Sequence, residues 1–109
     1  MIDEHDFQIK ADEALEELDQ ALGAAADEHG FEPDFQAGAL TIEFDDPPAK
    51  FVVSPNSAVR QIWVSALATS YKLDWDAGRG AFVHGETGRT LKELIGDLIG
   101  KQIGEPVQL

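Results

Sequence analysis

The chain has 109 residues, 43% of them hydrophobic and 27% charged, with a formal net charge of -13 and no cysteine. That length gives room for one domain, here residues 1–109, with a modest core that needs neither disulfides nor structural metal. The missing cysteines exclude thiolate nucleophiles, CxxC redox chemistry and cysteine-held zinc or iron–sulfur clusters.

The acidic opening Met1-Ile2-Asp3-Glu4-His5-Asp6 is unlike a basic targeting signal, and no apolar run is long enough to span a bilayer, so a cytoplasmic location is expected. From Asp3 to His29 the apolar residues Phe7, Ala11, Leu15, Leu18, Leu22 and Ala25 recur every three or four positions. This is the period of an amphipathic helix, and Gly30 followed by Pro33 predicts its end.

Residues 1–34 hold 12 acids against the single base Lys10, and the other 75 residues hold 9 acids and 7 bases. A field so one-sided repels nucleic acid and anionic membranes and attracts cations and basic proteins. Helical spacing puts Asp12, Glu16 and Asp19 on one outward stripe and Glu13 and Glu17 on the next, so the acids are expected to form a continuous outer ridge. Asp27 and Glu28 lie at the helix end that disfavours anions. The i,i+4 pairs Asp12 with Glu16 and Glu13 with Glu17 repel by roughly 0.2–0.5 kcal/mol each. Charges that hinder folding point to function, and surface carboxylates are what hard cations accept, weakly and with little selectivity when the side chains are mobile.

Beyond Phe31 the period drops to two. Strands are predicted at Phe31–Gln36, Leu40–Asp45, Lys50–Ser54, Arg60–Leu67, Lys72–Trp75 and Ala81–His84. The turns between them are Ala37-Gly38, Asp46-Pro47-Pro48, Ser54-Pro55-Asn56-Ser57 and Ala77-Gly78-Arg79-Gly80. Alternation sets Ile62, Val64 and Ala66 on one face and Gln61, Trp63 and Ser65 on the other, which marks Trp63 as an exposed docking residue.

A second helix follows Thr90, whose partner Glu93 completes a capping pattern, with Leu91, Leu94, Ile95, Leu98, Ile99 and Ile103 on one side and an end near Gly104. Its glycines Gly96, Gly100 and Gly104 repeat every four residues and predict close packing of this helix on the sheet. The order helix, strands, helix predicts an α+β fold: a two-layer sandwich with both helices on one face of an antiparallel sheet of five to seven strands.

Catalytic signatures are missing. His5, His29 and His84 are isolated in sequence, and there is no HExxH, GxSxG, Walker or GxGxxG motif.

Four segments in order give the chain a resemblance over essentially its whole length. Gly38-Ala39-Leu40-Thr41-Ile42, Gln61-Ile62-Trp63-Val64-Ser65, Tyr71-Lys72-Leu73-Asp74-Trp75 and Gly88-Arg89-Thr90-Leu91-Lys92-Glu93-Leu94-Ile95 resemble the strand and second-helix motifs of bacterial frataxins. The resemblance implies an accessory, non-enzymatic role in iron–sulfur cluster assembly, as an iron-binding regulator or donor acting on the cysteine desulfurase and the scaffold protein. It implies ferrous or ferric iron on the acidic ridge of the first helix and first strand, where the carboxylates this chain offers are Glu16, Asp19, Asp27, Glu28, Glu32 and Asp34, weak ligands because they are exposed and mobile. It implies partner contact through Gln61, Trp63, Asp12, Glu13 and Glu17, and a monomer that forms oligomers with iron. Some relatives suggest ferroxidase activity, but no ExxH di-iron ligand set is present. Two departures stand out. Ser54-Pro55-Asn56-Ser57-Ala58 replaces the usual N-x-Q-x-P, and the family's distal helix acids fall on Gln20, Gly23 and Ala24 while Asp19 persists. A competing reading is an acidic module that docks a basic partner, with metal incidental.

Overall fold

The computed structural model describes residues 2–45 and 48–109. Helix α1 spans Glu4–His29. It begins where the Asp3 carboxylate accepts the Asp6 amide at 2.8 Å and ends at Gly30, whose φ of 72° lets its amide return to the Ala26 carbonyl. Phe7, Ala11, Leu15, Leu18 and Leu22 form its buried stripe, as the period predicts.

Among the described residues seven strands follow: β1 Phe31–Gln36, β2 Ala39–Asp45, β3 Pro48–Asn56, β4 Gln61–Ala66, β5 Thr69–Asp76, β6 Ala81–His84 and β7 Arg89–Thr90. They lie side by side in chain order, every neighbour antiparallel. Helix α2, Leu91–Ile103, closes the chain's regular structure.

Several boundaries differ from the sequence expectation because pairing extends strands past their apolar cores. β3 carries Pro55 and Asn56, opposite Ile62 and Gln61, where a turn is expected. β5 starts at Thr69, because the two-residue turn Leu67-Ala68 places Thr69 directly opposite Ala66. The short β7 pairs Arg89 and Thr90 with His84 and Val83, a strand too brief to leave a periodic signal. Of the expected turn Asp46-Pro47-Pro48, Pro48 opens β3, and Asp46 and Pro47 lie outside the described residues.

Both helices cover one face of the sheet. Leu40, Ile42, Phe44, Phe51, Val53, Ile62, Val64, Leu73 and Phe82 from the strands meet the α1 stripe and Leu91, Leu94, Ile95, Leu98 and Ile99 of α2 in one core. Each fully buried aliphatic or aromatic side chain contributes roughly 1.5–3 kcal/mol. Phe7 meets Phe82 edge-on at 5.7 Å, which locks α1 to β6. The α2 start has the predicted capping box: Thr90 Oγ1 accepts the Glu93 amide at 3.4 Å while the Glu93 carboxylate accepts the Thr90 amide at 2.9 Å.

The glycines of α2 are a correction. Gly96 and Gly100 face the chain's own last residues rather than the sheet, while Gly104 caps the helix with a φ of 75° and has nothing within 4 Å of where a Cβ would stand. A methyl group on Gly96 would stand 3.0 Å from the Val107 carbonyl oxygen, and one on Gly100 would stand 3.1 Å from that of Glu105. The helix lacks side chains there so that the backbone of residues 105–107 can lie against it, with Val107 and Leu109 packed on the core.

Candidate functional site

The face opposite the helices is open, and strand alternation decides what it shows. Phe31, Pro33 and Phe35 of β1 point to the helix layer, so Glu32 and Asp34 point outward and are exposed. In β2 the same rule turns Glu43 and Asp45 outward. Glu32 sits directly opposite Glu43, a like-charge pair that costs a few tenths of a kcal/mol or more, and Lys50 on β3 stands across from Glu43.

The acids that the resemblance gathers on one ridge therefore lie on two elements. Glu32 and Asp34 belong to the open sheet face, while Glu16, Asp27 and Glu28 are exposed on α1 and Asp19 is half-buried there. The α1 acids are themselves parted between two flanks. Asp12 borders a hollow with Gln8, Pro55 and Ser57 beside the β3–β4 turn. Glu13 and Glu17 border another of about 240 Å³, with Lys10, Lys92 and Trp75. Lys10, the one lysine or arginine of residues 1–34, stands 5.7 Å over the Trp75 ring.

The end of α1 has one long-range contact that sequence spacing does not show. His29 lies 2.6 Å from the Glu105 carboxylate through Nδ1 and 3.9 Å from Glu28 through Nε2, which brings the chain's C-terminal segment to the negative end of the helix. His84 is 8% exposed, with Nδ1 at 2.9 Å from the Thr87 hydroxyl and its ring against Tyr71. Among the described residues, no three His, Asp or Glu side chains converge on a point that would hold a metal ion. The carboxylates are hard oxygen donors, suited to loosely held hard cations and not to a closed coordination cage.

Trp63 lies on the open face, 37% exposed, as its strand register predicts. Its orientation is fixed by polar neighbours. The indole Nε1 donates to the Gln61 side-chain oxygen at 2.9 Å, Gln61 Nε2 donates to Asp74 at 3.1 Å, and the Lys72 ammonium stands 5.0 Å from the ring centroid. A large, rigid and exposed aromatic is the kind of side chain that anchors protein interfaces. Around it Val52, Ser54, Ser65 and Ser70 line a shallow hollow of about 330 Å³.

Two further features complete this face. Glu43 and Asp45 alternate with Ile42 and Phe44, so their outward direction follows from the strand pattern alone. Lys72 over Trp63 does not, because it needs the β4–β5 register that places the two residues opposite each other.

Residues 1–105 match the model of the Frataxin-like domain. The chain is 32% identical over 108 residues to the iron-sulfur cluster assembly protein CyaY of Dechloromonas aromatica, covering 99% of each. It is 27% identical over 103 residues to that of Thioalkalivibrio sulfidiphilus, covering 94% of this chain and 95% of the other. Among solved structures, frataxin from Psychromonas ingrahamii superposes with a TM-score of 0.75 at 21% identity over 98% of this chain and 97% of that one. Yeast frataxin superposes with 0.71 at 20% identity over 92% and 82%. The helix and strand layout described above is thus that of frataxins. No described helix is long and apolar enough to cross a membrane.

Proposed function

Since the chain belongs to the frataxin-like family and has a role in iron–sulfur cluster assembly, we propose that it serves there as an iron-binding accessory protein rather than an enzyme. It acts in the cytoplasm, as a monomer, on the cysteine desulfurase and the scaffold protein. One observation carries this reading: a single open sheet face presents both an exposed, polar-anchored tryptophan and four outward carboxylates, Glu32, Asp34, Glu43 and Asp45. Trp63 supplies the apolar anchor for a partner, and the acids supply the field that draws in ferrous iron or a basic surface. Glu16, Asp19, Asp27 and Glu28 on α1 extend that field around the edge of the molecule.

Iron is cargo in this scheme. Exposed carboxylates on separate elements hold it loosely, exchange it quickly and discriminate poorly against other divalent cations. Anaerobic ferrous titration followed by backbone NMR tests the proposal. Broadening is expected between Asp12 and Asp34 and at Glu43 and Asp45, and an even effect over the whole chain would refute it. Neutralising Glu16, Asp19 and Glu32 together, with metal binding and desulfurase binding measured on the same protein, separates this reading from docking alone. The iron-binding reading predicts loss of both, whereas pure docking predicts loss of the partner with iron of no consequence to it.

A further inference from the structure

Strand β5 is paired on one side along most of its length and on the other along only half. Residues Thr69 to Asp74 oppose Ala66 to Gln61 of β4. On the outer side, β6 pairs only with Leu73 to Asp76, because the chain leaves β6 at His84 and turns away into β7. Thr69 to Lys72 therefore have no strand on their outer side among the described residues, and Thr69, Ser70 and Lys72 are exposed.

The turn geometry says which backbone groups are free. Leu67 and Ala68 close the β4–β5 hairpin with φ of 52° and 62°, the two-residue form in which the flanking pair Ala66 and Thr69 exchanges hydrogen bonds. Antiparallel alternation then aims the amides and carbonyls of Thr69, Tyr71 and Leu73 at β4, and those of Ser70 and Lys72 outward.

A slot of about 310 Å³ runs along this unpaired side. Tyr71 and His84 line it from the helix layer, Lys72 and Asp74 from the open face, and Gly85 and Glu86 form the far wall. That wall is held in place. The Gly88 amide donates to the His84 carbonyl at 2.8 Å, His84 meets Thr87 at 2.9 Å, and Arg79 donates to the Gly88 carbonyl at 2.6 Å.

We propose that this slot takes an extended segment of a basic partner protein as a short additional strand beside β5. Outward-facing amides and carbonyls recognise extended backbone whatever its sequence. Asp74 and Glu86 favour lysine or arginine on the incoming segment, because the one lysine at the slot is drawn over Trp63. The net charge of -13 opposes pairing with a second copy of this chain. Ser70 and Lys72 also border the Trp63 hollow, so a strand seated here would run on to that face. The sheet's edge strand β1 carries Pro33 between two outward acids and is guarded against the same pairing. The inference depends neither on iron nor on which assembly protein is bound.

The test uses the full-length chain, metal-free and ¹⁵N-labelled, with a short peptide of alternating lysine and valine and a control peptide with proline at every second position. Ser70 and Lys72 amides are expected to exchange freely in the protein alone. They should slow by about tenfold or more with the lysine–valine peptide, with shifts at His84 and Glu86, and stay unchanged with the control. Ser70→Pro removes an outward amide while sparing the β4 pairing, and should abolish the protection. Lys72→Pro serves the same purpose if Ser70→Pro does not fold. The proposal is overturned by protection of both amides in the peptide-free protein, by an equal response to the proline control, or by shifts confined to the acids of α1. Slowed exchange on concentrating the protein without peptide overturns it too, because the occupant is then a second copy.

Discussion

A methyl group on Gly96 should have opposite effects on stability depending on whether the chain's last five residues are present. In a helix interior, glycine to alanine gains about 1 kcal/mol from propensity. At Gly96 the new Cβ would sit 3.0 Å from the Val107 carbonyl oxygen, closer than ordinary packing allows, and the atom it meets is backbone that cannot rotate aside. Overpacking of this kind costs about 1–3 kcal/mol, so Gly96→Ala in the full chain should be neutral to destabilising by about 2 kcal/mol. Ending the chain after Gly104 removes Val107 and Leu109 from the core and itself costs stability. In that shortened chain the obstruction is gone, and Gly96→Ala should stabilise by about 1 kcal/mol. Gly23 on α1 has nothing within 4 Å of its would-be Cβ, so Gly23→Ala should stabilise both lengths by about 1 kcal/mol. Urea unfolding of the six proteins gives the coupling, expected at about 1–3 kcal/mol. If Gly96→Ala stabilises the full chain as much as Gly23→Ala does, the glycine stripe is not a seat for the C-terminal segment.

Two further predictions concern the sheet and the second helix. Leu67 and Ala68 both hold left-handed backbone, which costs a non-glycine residue about 1–2 kcal/mol. Ala68→Gly should therefore raise stability by about 0.5–1 kcal/mol after glycine's own entropy is charged against it, read as a rise of several degrees in thermal midpoint. The Glu93 carboxyl is held below its usual range, first by its hydrogen bond to the Thr90 amide and then by the Thr90 hydroxyl. A lowered folded pKa gives stability that is complete above the unfolded value and lost as pH falls through the folded one. Stability should therefore decline below pH about 4.3, and Glu93→Gln should remove Glu93's share of that decline when unfolding is measured between neutral pH and pH about 3.

Local signals made most of the architecture readable. The three-to-four spacing of Phe7, Ala11, Leu15, Leu18 and Leu22 specifies one buried helix stripe, and the same residues are buried in the structure. The outward direction of Trp63 and the Thr90–Glu93 cap also follow from spacing of a few residues. These are properties of a dihedral period, which a short stretch of chain carries within itself.

What the fold alone decided concerns residues distant in sequence. Glu32 and Asp34, which the resemblance groups with the helix acids, lie apart from them because they obey the strand period, which turns them to the face that α1 does not cover. Gly96 and Gly100 of α2, read by spacing as a surface for the sheet, receive Glu105 and Val107, since only the chain's final course over the helix shows what approaches them. His29 finds Glu105 across 76 positions, and Lys72 finds Trp63 through a hairpin register. Composition and period determined that this chain would be an acidic two-layer α+β protein. Tertiary packing determined which carboxylates share a face and which backbone edge stays open, because both depend on what lies opposite and not on what lies next in the chain.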